Sequence, residues 1–125
     1  MNKPRYGLEP RLLEFASRII RVTESMRRSR AGDYLAGQLL RSGTSPCGHH
    51  GEAEGAESRY DFIHKLRVCD NELREARRWL RLIQPTGLIL KPELLEGLVT
   101  GADELVRIFA ASIRTAQTNA TERNT

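Results

Sequence analysis

The polar and apolar positions alternate with a helical period along most of the chain. Leu8, Leu12, Phe15, Ile19, Val22 and Met26 form one stripe, with Glu14, Arg18, Arg21 and Glu24 on the other side. This predicts a first helix from about Glu9 to Arg28, with Pro10 in the first turn, where proline is tolerated. A second stripe runs through Leu35, Leu39, Ser42, Pro46, His49 and Ala53, and Asp33 is placed to cap that helix or sit in its first turn. This stripe turns small and polar just where a core should continue. Pro46 removes a backbone donor, and Gly43, Gly48 and Gly51 weaken helical propensity further, so a kink or local irregularity is expected there. Gly55 reads as the stop.

Phe62, Leu66, Cys69, Leu73, Ala76, Leu80 and Ile83 then repeat in steps of four and three, a regular heptad face. Ser58 with Asp61 resembles a capping box, and Pro85-Thr86-Gly87 closes this third helix near Gln84. As the longest and most regular, it is expected to be the spine. Lys91-Pro92 opens a fourth helix, with Leu94, Leu98, Leu105, Ile108, Phe109 and Ile113 on its buried side. The result is one all-α domain over residues 8–116, an up-down-up-down four-helix bundle. A loose lead-in covers residues 1–7 and a disordered polar tail covers residues 117–125.

Composition adds two constraints. Hydrophobic residues make up 39% of the 125, a lean core that favours burial shared between subunits. Aromatics reach only 6%, and strand-like β-branched runs are missing. Net charge is +4, and Lys3, Lys65 and Lys91 are the only lysines, so the basic side chains are overwhelmingly guanidinium. Guanidinium is the better fork for phosphate or carboxylate. The chain has no signal-like start and no membrane-length apolar run. A cytoplasmic protein with Cys47 and Cys69 reduced is the expectation.

Three constellations carry candidate chemistry. Arg74, Arg78 and Arg81 on the third helix, with Arg27, Arg28 and Arg30 in the first turn, could contact RNA, DNA or a nucleic-acid enzyme; the competing reading is a solvated, salt-bridged face. Ser45, Glu52, Glu72 and Glu75 read as an inter-helix polar network fixing register, with Arg41 as the partner that near-core carboxylates need. Cys47, His49, His50 and Glu52, with Glu72 opposite, are an alternative metal-binding or catalytic cluster, although their spacing matches no established ligand pattern. No nucleophile, phosphate loop or cofactor motif accompanies the carboxylates, so no enzyme and no cofactor is expected. Trp79 reads as a core or subunit contact.

Gln38 to Ser45, Glu52-Ala53, Ser58, Asp61 to Leu66, Glu72, Glu75, Trp79-Leu80 and Gly87-Leu88-Ile89 resemble, in order, the small bacterial four helix bundle protein family. That family is related to proteins encoded in intervening sequences of 23S ribosomal RNA genes. The resemblance covers about Leu8 to Phe109. It implies an up-and-down bundle, a ring-shaped homopentamer and no established enzymatic activity. A distant relative, the accessory protein of diversity-generating retroelements, is basic and associated with nucleic acid and a reverse transcriptase. The chain departs from the family pattern at Pro46, Cys47, Gly48, His49 and Gly51.

Overall fold

The computed structural model describes residues 7–124, with side chains through Asn119. Among them are four α-helices and no strand: α1 Leu8–Glu24, α2 Arg30–Glu54, α3 Arg59–Ile83 and α4 Glu93–Asn124. Neighbours in sequence pack on one another, and α1 closes the bundle against α4. Side-chain contacts set the directions. Cys47 reaches the Leu12 carbonyl while Gly43 abuts Ile19, so α1 and α2 run antiparallel. Arg41 pairs with Glu72 and Glu75, and Glu52 with Lys65, so α2 and α3 do likewise. Arg77 bonds Asp103 while Phe62 lines a cavity with Ser112 and Ala116, and Arg11 bonds Glu104 while Arg18 reaches Gly97, so α4 runs antiparallel to both α3 and α1. The expected up-down-up-down order follows.

Local chemistry accounts for the boundaries. α1 ends at Glu24, earlier than the stripe predicts. Met26 is buried beyond it, and Arg27 N–H donates to the Leu88 carbonyl at 2.9 Å, which ties this turn to the α3–α4 connection. Ser29 caps α2, accepting from Gly32 N–H at 2.9 Å, so Asp33 lies in the first turn, held by Arg28. Glycine is required at position 32, because a Cβ would stand 2.3 Å from the Arg27 carbonyl oxygen. Ser58 caps α3 by accepting from Asp61 N–H at 3.0 Å. A 3-10 turn, Gln84–Thr86, follows α3, and Gly87 takes φ of 78°, the left-handed conformation glycine tolerates best.

Several expectations change. The α2 helix continues through Pro46 without interruption. Pro46 is fully buried and its carbonyl accepts from the Cys69 thiol, so tertiary packing outweighs the lost backbone bond. On α4, Leu94 is 51% exposed and Leu95 fully buried, a one-residue shift of the stripe at the helix start. Ala102 and Val106 join the buried face. α4, with 32 residues, is the longest helix and extends past Ala116 to Asn124; no proline or glycine follows Gly101 to stop it. The α3 heptad face is nonetheless the centre of the core. Cys69, Leu73, Ala76, Leu80 and Ile83 are fully buried, and α3 packs against both α2 and α4.

Candidate nucleic-acid interface

The antiparallel packing brings the two arginine groups to one end of the bundle. The α1–α2 turn, carrying Arg27, Arg28 and Arg30, lies beside the C-terminal end of α3, which carries Arg78 and Arg81. The Arg27–Leu88 backbone bond and the Tyr34–Trp79 ring contact, with centroids 6.5 Å apart, fix this neighbourhood. Arg74, Arg78 and Arg81 follow one stripe at i, i+4 and i+7, about 10 Å long at the helical rise.

Their pairing differs. Arg28 donates to both Asp33 carboxylate oxygens at 2.7 and 3.2 Å, and Arg74 donates to Asp70 at 3.1 Å. The hydrogen bond and charge of Arg28 hold the Asp33 carboxyl below its ordinary pKa. Among the described residues, Arg27, Arg30, Arg78 and Arg81 make no ion pair, and all four are exposed. Four guanidinium groups at one pole are thus available to an external anion. At the opposite end, Glu57 lies in the α2–α3 turn, with Glu54 closing α2, Arg59 and Asp61 opening α3, and Glu52 bonded to Lys65.

The residues expected to form one polar network fall into two unconnected groups. Arg41 Nη1 donates to Glu72 at 2.9 Å and Nη2 to Glu75, whose second donor is the Trp79 indole N–H at 3.0 Å. Burial pushes the Glu75 carboxyl up, but the hydrogen bonds from Arg41 and Trp79 and the Arg41 charge outweigh it, leaving its pKa below the usual range. Further along the seam, Lys65 donates to Glu52 at 2.9 Å, and its hydrogen bond and charge lower the Glu52 pKa. Between them, Ser45 Oγ is buried without a hydrogen-bond partner, so it bridges neither piece. The indole link had a legible signal, the i,i+4 spacing of Glu75 and Trp79. Lys65, Arg77 and Arg11 find partners across helices, where spacing carries no signal.

The alternative metal cluster does not assemble. His50 is buried, edge-on to Phe109 at 6.1 Å, whereas His49 turns toward Glu52, with Nδ1 3.5 Å from Oε1. Glu72 is already held by Arg41. Adjacent residues on a helix lie about 100° apart, so His49 and His50 cannot share one face. Among the described residues no group of three or more His, Cys, Asp or Glu is placed to hold a metal ion. Cys47 and Cys69 are free thiols; burial raises both pKa values, that of Cys69 to about 12.

The profile described as 23S rRNA-intervening sequence protein matches residues 11–111. The chain belongs to that family. Its extent agrees with the block from Leu8 to Phe109 read from the residues. A crystal structure of a protein with unknown function from the S23 ribosomal protein family, from Bacteroides thetaiotaomicron, is 33% identical. It covers 86% of this chain and 98% of its own, with a TM-score of 0.79. No curated protein matches. Among the described residues, no helix is long and apolar enough to cross a membrane.

Proposed function

We propose that this member of the family is a non-enzymatic binding protein that presents its arginine pole to RNA, DNA or a nucleic-acid enzyme. The observation that carries this reading is the convergence of Arg27 and Arg30 with Arg78 and Arg81 at one end, none of them internally paired. Arginines already bound to carboxylates would have to break those pairs before meeting a phosphate; these four do not. Assembly as a homo-oligomer, with a ring-shaped pentamer favoured by the family resemblance, would repeat the pole and raise the local charge density, which phosphate binding rewards. Exposed Leu13, Ile20, Leu40 and Leu94, together with the lean core, support shared burial between copies.

The test is fluorescence anisotropy with short RNA and DNA at stepped salt, alongside native mass spectrometry of the free protein. Affinity is expected to be sequence-tolerant and to fall steeply as salt rises, since each neutralised phosphate releases counterions. Absence of binding at low ionic strength removes the reading, and a purely monomeric spectrum removes the oligomer.

A further inference from the structure

We propose that the outer face of α3 beside the arginine pole holds a subsite for unpaired nucleotides, with bases stacking on Trp79. This deepens the nucleic-acid reading and rests on it. The observation is a groove of about 560 Å³ lined by Arg74, Glu75, Arg78, Trp79 and Leu82. Its apolar surface comes from Trp79 and Leu82, the latter 49% exposed. Its rim carries the unpaired Arg78 and, one turn before it, Arg74, which is bonded to Asp70.

Charge complementarity selects the occupant. Glu75 is the acid in the groove, and its carboxylate is occupied by Arg41 and the Trp79 indole N–H, so the free charge facing the groove is positive. That same bond fixes the indole ring from one edge, and Tyr34 braces it perpendicularly at 6.5 Å. A held aromatic surface flanked by guanidinium groups suits a splayed base with its phosphates on the rim; a duplex keeps its bases stacked inside and offers phosphates alone. An apolar partner surface would leave Arg78 desolvated without a counter-charge.

Trp79 is the sole tryptophan, so its emission reports this groove directly. The full-length protein is titrated with a twelve-nucleotide oligo-uridine and with a duplex of matched charge, following anisotropy and tryptophan emission together. The single strand is expected to quench Trp79 at saturation, whereas the duplex binds without comparable quenching. Trp79→Phe should retain the preference for the single strand. Trp79→Leu, checked for helicity, should lose it, weakening single-strand binding at least about fivefold, the low end for one lost stack. Binding of both nucleic acids with Trp79 emission unchanged overturns the subsite while leaving the arginine pole standing. Absence of binding by either removes both. Emission that follows protein concentration and ignores the oligonucleotide assigns the groove to a second copy and overturns the subsite.

Discussion

Arg41 is the residue on which the α2–α3 seam turns. It holds two carboxylates, and Glu72 is only 20% exposed at its side chain. Arg41→Ala leaves both acids facing each other without a cation, and a loss of about 1 kcal/mol is expected in chemical denaturation. Glu75 gives the same site a pH signature. A carboxyl whose folded pKa lies below its unfolded value contributes stability that is fully present above that unfolded value, about 4.3 for glutamate. The contribution disappears as pH falls through the lower folded value. Thermal melts of the parent should therefore lose stability on acidification through this window, and Glu75→Gln should lose less. The thiols give a third outcome. With its pKa raised to about 12 by burial, Cys69 should resist a thiol reagent at pH 8 in the folded protein and react only on unfolding. Arg41 as a partner for these acids was legible, because near-core carboxylates need a cation. The lack of a partner for Ser45 was not, because one residue type cannot reveal whether a neighbour reaches it.

At the scale of elements, α2 separates two kinds of glycine. A Cβ at Gly43 would lie 2.8 Å from two Ile19 carbons, so Gly43→Ala should cost about 1–3 kcal/mol through overpacking. Gly37, Gly48 and Gly51 face open space. Alanine at any of them should stabilise the fold by up to about 1 kcal/mol through helical propensity, read in the same denaturation series. The sequence shows Gly43, Gly48 and Gly51 alike as helix weakeners, because glycine has no side chain whose polarity reveals its facing. Pro46 makes the same point. Its propensity penalty predicts irregularity, yet a fully buried position in a continuous helix shows packing prevailing. The heptad face of α3 was readable residue by residue because its period is strict. The start of α4 was misread by one position, because Leu94 and Leu95 are equally apolar and only the packed partner chooses between them.

For the whole molecule, the four helices and their antiparallel order were legible from stripes and short connections. The gathering of charge was not. Arg27 and Arg81 are far apart in the chain, and only the register of α2 against α3 brings their elements to one end. That convergence places unpaired arginines from the α1–α2 turn and from the end of α3 beside one another at one end of the bundle. It makes the position of charge, rather than its total, the basis of the proposed binding. The decisive measurement compares two variants of equal net charge for affinity to short RNA at low salt. One carries Arg30→Gln, Arg78→Gln and Arg81→Gln at the pole; the other carries Arg67→Gln, Arg107→Gln and Arg114→Gln on exposed positions elsewhere. The pole variant should lose most of its affinity and flatten the dependence on salt, while the second variant binds nearly as the parent does. Equal losses in the two variants would show that bulk charge alone attracts the nucleic acid, and would contradict the account.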